Sequence, residues 1–411
     1  MTADDEAGRV AARVARTSYG RLVAYLSART RDVAGAEDAL GEAFAAALLA
    51  WPRDGVPGNP DAWLLTVARR RQTDAIRRRK TRSTGEEHLI LVADELEAAA
   101  AETGDIPDRR LALMFACAHP AIDRGMRAPL ILQSILGLNA EEIAAAFLIP
   151  PATMGQRLVR AKARLRDAGI PFGVPEKEDL PDRLEAVLDA IYAAYAKGWN
   201  EVGDEAVPEI ADEAVWLGRL LVSLLPAAPE ARGMLALMLY AEARRPARRD
   251  ATGAYVPLEQ QDTSLWDDSQ IVLAEQLLRE ASAAGPSGRY QLEAAIQSAH
   301  VARRLRGVAT WPAIVALYDH LLALTHSPVV ALNRAVALAE VSGPEAALGA
   351  LEPLASDRRM TTYQPYWAAR GHLLARLGQS AAADEAFTVA IGLTTDPAVR
   401  TYLRDQITPT Q

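Results

Sequence analysis

At 411 residues the chain exceeds one ordinary domain, and two to four domains of about 100–200 residues each are expected. Half of it is hydrophobic but only 6% is aromatic, with Ala and Leu throughout, so packed helices are favoured over a strand-rich sandwich and the expected fold is all-α. The formal net charge of -8 would exclude a nucleic-acid ligand if it were evenly spread, and it is not.

The opening MTADDEAGRV is acidic and has no apolar core, so it does not read as a secretory signal. Helices are expected from about Arg16 to Lys80, with Leu22, Tyr25 and Leu26 on one face and an Ala-rich helix from Ala36 to Trp51. Pro52, Pro57 and Pro60, with Gly55 and Gly58, break that helix, and Asn59-Pro60 favours a turn that starts the next one at Asp61. This next helix is densely basic: Arg69, Arg70, Arg71, Arg77, Arg78, Arg79, Lys80 and Arg82 face the single Asp74. A basic helix alone fits a solvated surface equally well. The rigid loop before it adds Asn59, a polar group for a base edge, and Trp63, an aromatic surface, which together suit capture of single-stranded DNA. Trp63, beside Leu64 and Leu65, also fits a core position.

Residues 84–107 form an acidic linker: Glu86, Glu87, Asp94, Glu95, Glu97, Glu102 and Asp105 occur with no intervening Lys or Arg. A second helical unit runs from Pro107 to about Phe172. Within it Asn139 and Glu142 make a capping-box-like start, Ile143, Ala146 and Phe147 form an apolar face, and Leu148-Ile149-Pro150 is the turn. The following helix opens with Pro151 and keeps Met154, Leu158, Ala161 and Leu165 on one stripe, with Arg157, Arg160, Lys162 and Arg164 on the other face. This is a helix-turn-helix pattern, with an ordinary helical hairpin as the alternative. In a helix-turn-helix, Thr153, Gln156, Arg157 and Arg160 reach base edges while Lys162 and Arg164 meet phosphates. Gln suits adenine there and Arg suits guanine.

GVPEKEDLP, Gly173 to Pro181, is the evident boundary, and helical spacing resumes with Leu184, Val187, Leu188, Ile191, Tyr192 and Tyr195. Near the C-terminus Ala335, Ala347 and Leu351 recur thirty-six residues on as Gly371, Ala383 and Phe387, close to the tetratricopeptide pattern of a small residue where two helices cross.

Catalytic patterns are missing. There is no phosphate-cradling Gly motif and no GxSxG, and Glu37 and Asp38 are adjacent and expected to face solvent rather than to converge across a cleft. Cys117 and His119 lack metal-ligand spacing, so no metal or cofactor is expected. A single cysteine fits a reducing compartment, and no charge-free apolar run approaches a membrane span of roughly eighteen residues, so a cytoplasmic protein without membrane contact is expected.

Several segments resemble the extracytoplasmic-function group of bacterial RNA polymerase sigma factors, and more narrowly the subgroup with a large tetratricopeptide-like C-terminal extension. They are AEDAL at Ala36 to Leu40, GVPGNPDAWLLTVAR at Gly55 to Arg69, ACAHPAI at Ala116 to Ile122, and AEEIAAAFLIPPATMGQRLVRAKARLRDAGIPF ending at Phe172. PARRDATGAYVPLEQQDTSLWD at Pro246 to Asp267, YQLEAAI at Tyr290 to Ile296, and LYDHLLALTHSPVVALNRAVALAEVSGP at Leu317 to Pro344 are similar too, so the resemblance spans nearly the whole chain.

The resemblance implies four parts: a region-2 domain over 1–83, the acidic linker over 84–107, a region-4 helix-turn-helix domain over 108–173, and a helical regulatory domain over 174–411. By it, Glu37, Asp38, Glu42 and Phe44 dock on the β′ clamp helices of core RNA polymerase, with the β flap as a second polymerase contact. Asn59 and its loop, with Trp63, capture a flipped minus-ten base, and Arg69, Arg70, Arg71, Asp74, Arg77 and Arg78 belong to the melting helix. Residues 151–164 read the minus-thirty-five element, the linker threads toward the catalytic cleft, and the C-terminal domain contacts the two sigma domains. Three departures stand out: Gly41 where Gln is usual, Arg70 where Asn is common, and AYAKGWN at Ala194 to Asn200 in place of an asparagine-glutamate-glycine-tyrosine signature. The implied function is an alternative sigma factor, not an enzyme. A helix-turn-helix activator with a repeat-type sensor, or a helical scaffold, are the alternatives from other classes.

Overall fold

The computed structural model describes residues 3–79, 109–147, 149–170, 172–173, 175–176, 179–200 and 207–407. The expected acidic linker lies outside them. All regular structure in the described residues is helical, apart from an isolated antiparallel bridge between Arg249 and Tyr255. The chain forms two compact units, Met1–Ala214 and Val215–Gln411.

The first unit opens with α1 (Ala3–Thr30), α2 (Val33–Asp54) and α3 (Pro60–Arg79), each packed on the other two. The Asp32 side chain caps α2 by accepting from the Gly35 amide at 2.9 Å. Ala36, Leu40, Ala43, Ala47 and Trp51 recur at helical spacing and are fully buried, so small side chains bring α2 close to its neighbours. Two boundaries differ from expectation. α1 begins well before Arg16, and α2 runs past Pro52 to Asp54. A proline in the final turn forfeits one ladder bond without breaking the helix, and Gly55 at φ 85° is what ends it.

α4 (Arg110–Cys117), α5 (Arg124–Leu136), α6 (Ala140–Phe147) and α7 (Pro151–Asp167) follow. α5 packs on α4, α6 and α7, and α1 lies across α5. A Cβ at Gly20 would sit 1.8 Å from the Ile135 carbonyl oxygen, so the α1–α5 crossing requires glycine. α8 (Leu180–Asn200) buries Val187, Leu188, Ile191 and Ala194 and packs on α4 and α5. Two polar ties reinforce the packing on α5, Arg124 with Glu185 at 2.5 Å and Arg127 Nη1 donating to the Asp182 carbonyl at 2.9 Å, while Lys197 of α8 reaches Glu142 of α6 at 3.2 Å and Arg110 of α4 pairs with Glu213 of the helix after α8.

The chain passes through α9 (Val207–Leu224) into the second unit. There α10 (Pro229–Ala243) is buried along most of its length and packs on α11 (Asp268–Ala283) and α12 (Arg289–Arg306). The N-cap of α12 is Gly288, which offers no side chain. The Glu230 carboxylate takes over, accepting from the amides of Tyr290 at 2.9 Å and Gln291 at 3.2 Å and from Gln291 Nε2 at 3.2 Å. α13 (Trp311–Thr325), α14 (Pro328–Leu351), α15 (Arg358–Thr361), α16 (Gln364–Arg376), α17 (Ser380–Leu393) and α18 (Pro397–Arg404) complete the array. α14 breaks at Gly343, φ 85°, so it acts as two helices. The thirty-six-residue repeat has a packing meaning: Gly371 faces Phe387, where a Cβ would come within 2.7 Å of the ring, while Ala335, Ala347 and Leu351 share the preceding core. The segment between α10 and α11 reaches back to the chain end, with Arg249 paired to Asp396 and Tyr255 edge-on to Tyr402 at 5.4 Å.

Candidate polymerase and DNA surfaces

On α2, Asp38 and Glu42 are exposed and Phe44 is half-buried, so three of the four residues expected to meet polymerase share an accessible helix. Glu37 does not face solvent as expected. It pairs with Lys162 of α7, and both side chains are under 15% exposed. Burial raises the Glu37 carboxyl above its ordinary range, Lys162 opposes that rise, and Asp38 adds to it. The same buried region raises the Tyr19 hydroxyl and the Cys117 thiol, in each case by burial first and the Glu37 charge second.

The loop and helix expected at the minus-ten element divide their residues between structure and surface. Asn59 caps α3, its Oδ1 accepting from the Ala62 amide at 3.1 Å. Trp63 is half-buried and sits edge-on to Trp51 at 5.5 Å, with Leu64 and Leu65 fully buried beside it. Asp61, which motif reading passed over, ties α3 to α1 by accepting from Ser18 Oγ at 2.9 Å and from Arg21. An acid in the first turn of a helix was the available signal. Arg69 turns inward, donating to the Tyr25 hydroxyl with its guanidinium 4.9 Å from the ring centre. Arg71 pairs with Glu42 at 3.3 Å, while Arg70 and Asp74 are exposed. The side chains of Arg77 and Arg78 lie outside the described residues.

The cap of the second motif and the buried stripe of its second helix are built as the sequence indicated. Asn139 Oδ1 accepts from the amides of Glu141 and Glu142, both at 3.0 Å, and Glu142 returns the bond by accepting from the Asn139 amide at 2.8 Å. Met154, Leu158, Ala161 and Leu165 are the buried stripe of α7. On α6 the buried pair is Ile143 and Ala144, with Phe147 half-buried and Ala146 exposed, which corrects the expected apolar face: Ala144 takes the place of Ala146 against the neighbouring helices. Gln156, Arg157, Arg160 and Arg164 are exposed, and Thr153 is half-buried in the first turn. Arg157, Arg160 and Arg164 line a groove of about 620 Å³ whose other wall is Ala121, Ile122, Asp123 and Met126. Lys162, expected with these arginines, flanks the buried stripe and turns toward α2 instead.

Among the described residues no group of three His, Cys, Asp or Glu side chains could hold a metal ion, and no helix is long and apolar enough to cross a membrane. Residues 14–82, which span most of α1 and all of α2 and α3, match the Sigma-70 region 2 family, and residues 183–282 match a family of unknown function (DUF6596). An uncharacterised protein of Rhizobium meliloti is 40% identical over 397 residues, covering 95% of this chain and 92% of the relative. The ECF RNA polymerase sigma factor SigC of Mycobacterium tuberculosis is 34% identical over 157 residues, covering 36% of this chain and 76% of the relative. A probable RNA polymerase sigma-C factor of Mycobacterium bovis matches to the same extent. The chain belongs to the extracytoplasmic-function RNA polymerase sigma factors. No solved structure matches this sigma factor. Its family match places Glu37, Asn59 and the basic face of α3 inside region 2, and the family of unknown function begins within α8, the helix that packs on α5.

Proposed function

We propose that this alternative sigma factor joins core RNA polymerase, recognises a promoter at two elements and assists its melting, under control of its own C-terminal half. In this reading 1–83 is the polymerase-docking and minus-ten domain, 84–107 an acidic linker, 108–173 the minus-thirty-five domain and 174–411 the regulatory domain. Asp38, Glu42 and Phe44 present the surface for the β′ clamp helices, with Glu37 joining it once freed from Lys162. Asn59 and Trp63 serve base capture at the minus-ten element, and Arg70, Arg71 and Asp74 line the melting helix.

The observation that carries this function is the capped helix-turn-helix with Gln156, Arg157, Arg160 and Arg164 exposed, three of them on one groove, in a chain that belongs to the sigma family. Side chains at the start of such a helix reach base edges, and those farther along meet phosphates. A regulatory role for the C-terminal half is supported by the ties from α8 to the motif, above all Lys197 on Glu142, the residue that closes the capping box. The test is run-off transcription by core polymerase over a promoter library. Arg157→Ala should cost about 1–3 kcal/mol at one minus-thirty-five position and relax specificity there. Absence of promoter-dependent transcripts, or an equal loss on every sequence, would overturn the assignment.

A further inference from the structure

The stretch from Pro246 to Asp267, between α10 and α11, has no part in docking, promoter reading or melting. Its backbone is extended at Arg249, Pro257 and Gln261, with short 3-10 turns between, so it lies on the helices of the second unit as a peptide would. One end is held at α18, by Arg249 on Asp396 and Tyr255 against Tyr402. The other is held at α12. There Arg303 takes the Glu259 carboxylate with both terminal nitrogens, Nη1 donating to Oε2 at 2.7 Å and Nη2 to Oε1, while its guanidinium lies 4.6 Å from the centre of the Trp311 ring. Arg304 Nη2 donates to the Gln261 carbonyl at 2.7 Å. A paired Arg–carboxylate bond over an aromatic face, beside a bond to a main-chain oxygen, is chemistry that suits an extended acidic segment.

We propose that Arg303, Arg304 and Trp311 form a recognition site for an extended acidic segment of a partner protein, with Glu259 as its resident stand-in. Two observations mark the contact as exchangeable. The Arg303 side chain is 16% exposed and that of Glu259 is 52% exposed, so the receiving group is fixed and the received one is open to solvent. Arg303 Nε and Arg304 Nε are buried and have no acceptor among the described residues, and the residues after Glu259 are the neutral Gln260 and Gln261. The site therefore offers more donors than the chain's own segment fills. A partner with carboxylates in the register of Gln260 and Gln261 as well as Glu259 supplies those acceptors. It replaces the stretch from Pro257 to Gln261 while Arg249 and Tyr255 stay on α18. The tether gives Glu259 an effective concentration on the order of millimolar, so a segment with one carboxylate competes poorly and a multiply acidic one competes well.

The site needs only the second unit, so it goes beyond the sigma reading, and its test uses neither polymerase nor DNA. The probes are two dye-labelled peptides followed by fluorescence anisotropy with the full chain: YVPLEQQD, the chain's own residues 255–262, and the same peptide with Gln260→Glu and Gln261→Glu. The acidic peptide should bind about tenfold more tightly than the chain's own sequence, because charge-assisted hydrogen bonds exceed neutral ones. Glu259→Gln in the chain, a change of equal size on an exposed side chain outside the α-helices, removes the resident charge and should tighten both peptides by about the same factor. Arg303→Glu should abolish binding of the acidic peptide and restore binding for a peptide with Glu259→Arg. If Arg303→Glu lowers the helical circular dichroism, the Glu259→Gln comparison decides. Failure of both peptides to bind the Glu259→Gln chain, or equal binding of a scrambled acidic peptide, would overturn the site.

Discussion

Asn59 is the residue whose two roles pull apart most cleanly. Its Oδ1 caps α3 through the Ala62 amide at 3.1 Å, and the proposed function also asks its amide edge to hold an extruded base. Replacement by Ala removes both. Loss of an N-cap costs about 1 kcal/mol, so the first turn of α3 should open about fivefold more often, read as faster hydrogen exchange at the Ala62 amide. Ser and Asp cap a helix about as well as Asn but lack the paired donor and acceptor of the amide. In the complex with core polymerase and promoter, Asn59→Ser and Asn59→Asp should keep Ala62 protected and still show weak permanganate reactivity of the minus-ten thymines. Base capture must offset an unstacking cost of a few kcal/mol, so tenfold or greater loss of open complex is expected for all three variants. If Asn59→Ser opens the promoter like the parent chain, Asn59 is a helix cap and nothing more.

Three further outcomes follow from the packing. Glu230→Ala should leave the buried Tyr290 and Gln291 amides without an acceptor and destabilise the second unit by about 2–4 kcal/mol in urea unfolding, with Glu230→Gln recovering part of it. A chain ending at Phe172 lacks α8 and should lose cooperative unfolding of α4 to α7, whereas one ending at Ala214 should keep it; calorimetry of the two fragments decides. His300 is held at about 4, below its ordinary 6.5, by burial and then by the charges of Arg303 and Arg244. Its stabilising contribution is therefore complete above about pH 6.5 and is lost as pH falls toward 4, about 2 kcal/mol between pH 7 and pH 5. That slope should flatten in His300→Gln.

What the sequence made legible was local. The capping box at Asn139 and Glu142, the Pro151 start of α7 and its buried stripe rest on spacing within one or two turns, and each stands in the structure as read. Glu37 and Lys162 could not be read that way. They are 125 residues apart, each looks like a solvated charge in its own helix, and only the packing of α2 on α7 pairs them. Asn59 shows a subtler limit, because the residue type that suits base capture is also among the best N-caps, and spacing alone supports both. The apolar face of α8 was evident, but periodicity says that a face is buried and not which neighbour buries it. The composition break at Gly173–Pro181 therefore coexists with packing of α8 onto α5.

The reach of the segment between α10 and α11 to the far end of the chain bears on how the second unit folds. An open array of helical pairs is quasi-one-dimensional: any repeat can nucleate, and the terminal helix frays first. Arg249 on Asp396 and Tyr255 on Tyr402 join positions 147 residues apart, and Asp396 is also the N-cap of α18. Closing a flexible loop of that length costs on the order of 4 kcal/mol in chain entropy, a sum recovered only after the intervening helices have stacked. This closure raises the contact order and makes it a late event, so the second unit should fold more slowly than its helical content alone would give. Once closed, the last helix should fray less readily than the free end of an open array, because its N-cap and Tyr402 are tied to the segment that follows α10.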